Sequence, residues 1–107
     1  MIRVRIKRKA GHVVGLTVSG HAGRAPSGED LVCAAVSVLA QTYFFSLQRL
    51  LNLKMDANVD DGFLSFALPG NISPETQKKA TLLAESMLVG FDEVNSSYPG
   101  FLEVSEE

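Results

Sequence analysis

Apolar and basic residues alternate at the start of the chain, with Ile2, Val4 and Ile6 set against Arg3, Arg5 and Lys7. A period of two sends successive side chains to opposite faces, so this stretch predicts a strand with one buried face and one basic face. Arg8-Lys9-Ala10-Gly11 reads as a turn, and Val14, Leu16 and Val18 resume the alternation in a second strand that stops at Ser19-Gly20. The two make a hairpin. From Leu31 to Leu47 the pattern changes: the segment carries no charge, and its clear polar interruptions are Ser37, Gln41, Thr42, Tyr43 and Ser46. Apolar almost all round, it predicts a core helix covered on more than one side. At about 17 residues it lies at the lower limit for crossing a bilayer and carries several hydrogen-bonding side chains besides, so no membrane is expected.

Alternation returns with Leu51, Leu53, Met55, Ala57 and Val59 against Asn52, Lys54, Asp56 and Asn58, which predicts a third strand. Asp60-Asp61-Gly62 is turn chemistry rather than a metal site, and Leu64, Phe66 and Leu68 form the returning arm of a second hairpin. Ser73-Pro74 reads as the N-cap and first residue of an amphipathic helix with Lys78, Lys79 and Glu85 on its solvated face. Gly90 either ends that helix or bends it. Pro99-Gly100 then turns the chain into a short strand, Phe101 to Ser105. The order ββαββα plus a C-terminal strand predicts one α+β domain over residues 1–107, a two-layer arrangement with two helices on one face of an antiparallel sheet.

Composition narrows the function classes. The 107 residues suit a single domain, and 46% apolar with 21% charged residues is ordinary for a folded, soluble chain. A net charge of −2 and a pI near 5.6 argue against a general nucleic-acid binder. One cysteine excludes an intrachain disulfide, and no Cys/His cluster suggests zinc, so neither metal nor cofactor is expected. A lone thiol and an N-terminus without a signal peptide's apolar core point to the cytoplasm. Neither a P-loop nor a dinucleotide fingerprint is present.

Candidate chemistry gathers between Gly20 and Ser37, the stretch that holds Cys33. A thiol becomes a strong nucleophile when a histidine takes its proton and a helix N-terminus stabilises the anion. His21 sits where strand pairing stops, whereas His12 lies at the far end of the same strand, roughly 26 Å away at about 3.3 Å per residue. Only His21 is expected near Cys33. The helix start reads two ways, with Ser27 as N-cap of a Ser-x-x-Asp box or with Asp30 as N-cap and Leu31 first; the second is preferred and puts Cys33 in the first turn. Asp30, Cys33 and Ser37 then share one stripe at i, i+3 and i+7. Asp30 serves as a cap or orients His21. Gly20, Gly23 and Gly28 allow the loop to move, and Arg24 supplies a positive charge that can help hold an anion. The competing reading is a small core cysteine with His21 as a turn residue.

Gly20-His21, a short glycine-rich loop and then Asp30-Leu31-Val32-Cys33-Ala34-Ala35-Val36-Ser37 resemble the signature of the ribosomal-processing cysteine protease family, Prp. The resemblance extends over nearly the whole chain, including the Tyr98-Pro99 step before the last strand. It implies a bacterial cysteine endopeptidase that removes the N-terminal extension of a large-subunit ribosomal protein, the one numbered twenty-seven. It also implies Cys33 as nucleophile, His21 as base, and Asp30 and Ser37 as accessory residues. By similarity the scissile bond follows two aromatic residues, which requires an apolar groove; Phe44, Phe45 and Met55 are available to line it. The alternative is a noncatalytic ribosome- or RNA-binding module using Arg3, Arg5, Lys7, Arg8 and Lys9. A redox sensor is disfavoured by the lack of a resolving cysteine. A homodimer is expected, because one small sheet cannot cover every side of so apolar a helix. The loop from Gly20 to Gly28 is expected to move without substrate and to order over it.

Overall fold

A computed structural model of the chain describes residues 1–20 and 31–107 in full and residues 27–30 as helical backbone. Strands β1 (Ile2–Lys9) and β2 (His12–Ser19) form the expected hairpin. Ala10 and Gly11 close it with φ of 52° and 81°, the doubly left-handed geometry whose twist suits a two-residue hairpin loop. Helix α1 (Ser27–Leu51) follows, then strands β3 (Asn58–Asp60) and β4 (Phe63–Ala67), helix α2 (Pro74–Ser97) and strand β5 (Leu102–Glu106). One five-stranded sheet results, in the order β3-β4-β2-β1-β5.

Every strand pair is antiparallel except β1 with β5, so the α+β architecture stands but the sheet is mixed rather than antiparallel throughout. The cause is α2. It carries the chain back along the sheet from the end of β4, so the strand after it runs in the direction of β4 and β1; a helical crossover, unlike a hairpin, makes parallel neighbours. Arg8 ties this closure together, pairing at 2.8 Å with Glu85 of α2 and at 2.9 Å with Glu106 of β5. The hydrogen bonds it donates to the Glu106 and Glu85 carboxylates push the guanidinium pKa above its ordinary value.

The inner face of the sheet packs Ile2, Val4, Ile6, Val13 and Leu16 against Val32, Val36, Ala40, Tyr43 and Leu47 of α1 and Ala80, Ala84, Met87 and Phe91 of α2. Ser73 caps α2 as expected, its hydroxyl accepting from the Thr76 N–H at 3.1 Å. Gly90 neither ends nor interrupts that helix. A Cβ there would come within 2.7 Å of the Leu39 side chain, so this glycine lets the helices approach.

Two expectations fail on α1 and the segment after it. The helix starts at Ser27 and continues to Leu51, which places Asp30 inside it instead of at its cap. It ends with Asn52 at φ 55° and a bond from the Leu53 N–H to the Leu47 carbonyl, the six-to-one closure of a Schellman turn. Residues 52–57 are therefore not strand. Their alternation is real, since Leu53, Met55 and Ala57 are half-buried and Asn52, Lys54 and Asp56 exposed, yet among the described residues no ladder partner runs beside them until β3.

Candidate active site

Across β1, β2, β4 and β3 the pairing aligns Val4, Val18, Leu64 and Val59 in one inner row. Val4 is wholly buried, whereas Val59 is 72% exposed. Among the described residues, the helices roof one end of the sheet and leave the other open. Between that uncovered end and α1 lies an apolar groove of about 390 Å³. Cys33, Ser37, Gln41 and Phe44 line it from the helix; Val18 and Gly20 from β2 and its exit; Val59, Gly62 and Leu64 from the β3–β4 hairpin.

The helical period explains the helix wall. Residues 33, 37, 41 and 44 fall on one stripe, adjacent to the buried stripe of Val32, Val36, Ala40, Tyr43 and Leu47. Phe44 is locked by edge-on contact with Phe66 at 4.8 Å and with Phe45 at 5.5 Å between ring centroids, and the Arg49 guanidinium sits 5.6 Å from the Phe45 ring. Phe44 and Phe45 thus line the groove as expected, with Phe44 also packing on the core. Met55 does not; it packs beside the far end of α1, near Gln48 and Leu53.

Cys33 is half-buried and opens onto this groove. Counting Ser27 as first, it is the seventh residue of α1, so the expected first-turn position is corrected to the second turn. The first-turn N–H groups remain unpartnered within the helix, and Cα–Cβ bonds tilt toward the helix N-terminus, so the thiol leans toward them. Ser37, exposed one turn later, leans toward Cys33 in the same way. Gly20 takes φ 91° and donates its N–H to the Gly62 carbonyl at 2.9 Å, tying the exit of β2 to the hairpin turn. A Cβ on Gly20 would collide with the Met1 carbonyl oxygen.

His21, Gly23 and Arg24, and the mobility expected of their loop, lie outside the described residues, as do the surroundings of Gly28 and the Asp30 side chain. His12 stands at the opposite end of β2 from Gly20, its Nδ1 3.0 Å from the Thr81 hydroxyl of α2. Of the basic strand, Arg3, Arg5, Lys7 and Lys9 are exposed while Arg8 is engaged by its two glutamates. The groove wall formed by Val59, Gly62, Phe63 and Leu64 was not foreseen, because Asp60-Asp61-Gly62 signals only a turn.

Residues 1–103 match the family described as cysteine protease Prp. The chain belongs to the Prp family. It is a cysteine protease, and the noncatalytic alternative falls away. It is 31% identical over 111 residues to the ribosomal processing cysteine protease Prp of Bacillus subtilis strain 168, covering 98% of this chain and 96% of that one. A crystal structure from Streptococcus mutans superposes with a TM-score of 0.82 at 29% identity, covering 99% of this chain and 93% of the other. An essential Prp from Staphylococcus aureus, crystallised with a covalently linked product peptide, superposes with a TM-score of 0.80 at 25% identity, with 100% of each chain covered.

Proposed function

We propose that this Prp-family protease removes the N-terminal extension of the large-subunit ribosomal protein numbered twenty-seven, with Cys33 as nucleophile and His21 as general base. The observation that carries this reading is a half-buried cysteine opening onto an apolar groove large enough for the side chains of a bound peptide. Support for the substrate comes from the Bacillus subtilis relative, named as a ribosomal processing protease, and for the choice of histidine from Gly20, the residue before His21, standing in the groove wall.

The chemistry follows. His21 takes the proton of the Cys33 thiol, and the sulfur attacks the scissile carbonyl carbon while the carbonyl oxygen gathers charge. Unpartnered N–H groups in the first turn of α1 are the donors suited to that oxyanion. Collapse of the intermediate breaks the C–N bond. The leaving amine takes the proton from His21, and a thioester joins the extension to Cys33. Water, deprotonated by His21, then attacks the thioester, releasing the extension as a carboxylic acid and restoring the thiol. With Asp30 inside the helix rather than at its cap, its role in this scheme is to orient His21, and Ser37 supports the thiol from one turn away. Gly20, Gly23, Arg24 and Gly28 form the segment that covers the substrate.

Two further expectations belong to the same proposal. The protein works in the cytoplasm, where the substrate is made and a lone thiol stays reduced. It works as a homodimer: within Leu31–Leu51 the buried residues are Val32, Val36, Ala40, Tyr43 and Leu47, while Leu31, Val38, Phe45 and Leu50 face outward from α1. A monomer mass by light scattering at micromolar concentration counts against the dimer.

The decisive experiment is incubation with the extended ribosomal protein and mass measurement of the products. The parent and His12→Ala proteins should release the extension, whereas Cys33→Ala and His21→Ala should not. Cleavage by Cys33→Ala, or loss confined to His12→Ala, overturns the assignment.

A further inference from the structure

Helix α1 is apolar along most of its length, so the positions of its few hydrogen-bonding side chains carry information. Ser37 and Gln41 stand four and eight residues after Cys33 on the stripe that walls the groove. Gln41 is exposed, lines the groove and also borders the adjoining hollow beside Val38, Phe45 and Arg49. No hydrogen bond to its amide forms among the described residues. A primary amide offers one acceptor oxygen and two donor hydrogens, which matches the N–H and C=O of a residue in an extended peptide.

We infer that Gln41 clamps the backbone of the substrate three or four residues from the scissile bond; this rests on the cleavage reading of Cys33 given above. The spacing comes from two geometries. Eight residues of α-helix advance about 12 Å at about 1.5 Å each. An extended peptide covers the same length in about three to four residues at about 3.3 Å each. A substrate lying along α1, its scissile carbonyl at Cys33, therefore brings its third or fourth residue to Gln41. Phe44 and the shelf of Val18, Leu64 and Val59 take up the apolar side chains in between. Because the proposed extension places its aromatic pair just before the cut, the clamped residue lies on the extension side. Gln41 is thus a substrate-binding residue whose effect depends on substrate length.

The test uses synthetic peptides with an aromatic pair before the scissile bond and either two or five residues on that side. For the parent, the longer peptide should be cleaved with the higher kcat/KM, and Gln41→Ala should lose about three- to tenfold on the long peptide, the worth of a hydrogen bond, and almost nothing on the short one. N-methylation of the third or fourth substrate amide should cost the parent a similar factor and leave Gln41→Ala unaffected. Light scattering of Gln41→Ala should match the parent. A length gain that survives Gln41→Ala, equal losses on both peptides, or an altered mass overturns the clamp while leaving the protease reading intact. Failure of the parent to cut any peptide, or cutting by Cys33→Ala, overturns both.

Discussion

The two ends of the sheet are built from the same kind of strand and have opposite fates. At the β1–β5 end, Ile2, Val4, Ile6 and Leu102 are buried in the core shared with the helices, and Arg8 fastens strand, helix and C-terminal strand together. At the β3–β4 end the inner row continues, but among the described residues the roof does not, and Val59 remains exposed. A small protein that covered both ends would be more stable and would have no cleft beside Cys33. On the proposed reading of the groove, stability and substrate binding fall to different ends of one sheet, and substitutions should separate them.

Ile6→Ala should have the largest effect on stability, about 2–5 kcal/mol, because the side chain is wholly buried and the cavity cannot collapse between two helices and a sheet. Val59→Ala, on the same inner face at the open end, should change stability by less than about 0.5 kcal/mol yet raise KM for peptides. Urea unfolding of both variants alongside peptide kinetics checks the contrast; equal destabilisation would erase it. Gly20→Ala comes next, expected at about 1–3 kcal/mol, since alanine resists φ 91° and its Cβ meets the Met1 carbonyl. Here both properties should fall together, because Gly20 is strand exit and groove wall at once.

A small effect of opposite sign is expected at Tyr43, which is 2% exposed and whose hydroxyl has no hydrogen-bond partner among the described residues. Tyr43→Phe should be neutral or stabilising by up to about 1 kcal/mol, as it removes a buried polar atom rather than a bond. Burial pushes this phenol well above its usual range. The folded state therefore keeps the proton where the unfolded chain has lost it, so stability should be full below the ordinary tyrosine pKa of about 10 and fall as pH rises beyond it. Thermal melts from pH 8 to 11 should show that decline flattened in Tyr43→Phe.

Both hairpins and the capped start of α2 could be read from sequence because each is specified locally: Ala10-Gly11, Asp60-Asp61-Gly62 and Ser73-Pro74 carry their own turn or cap chemistry. The direction of β5 could not, since it depends on α2 running past Gly90 and returning the chain to the start of β1. The segment 52–57 misled because alternation records which side faces the core, and a strand needs a neighbour as well. The start of α1 misled for the opposite reason: Ser27, Gly28, Glu29 and Asp30 are polar, so an apolar criterion begins the helix a turn late. The open end of the sheet has no sequence signal at all. Val59 alternates as faithfully as Val4, and only the reach of the helices distinguishes them.

The parallel pairing of β1 with β5 also determines how the molecule answers to force. Arg8 and Glu106 lie 98 residues apart in sequence and side by side in space, on strands that begin at the same edge of the domain. Tension applied between Ile2 and Glu106 pulls the two strands lengthwise past each other, so their ladder of hydrogen bonds is loaded together in shear. An antiparallel last strand would have put both handles at one edge, where the bonds open singly like a zip. Pulled by its ends, this small domain resists along the β1–β5 ladder at the closed side of its sheet.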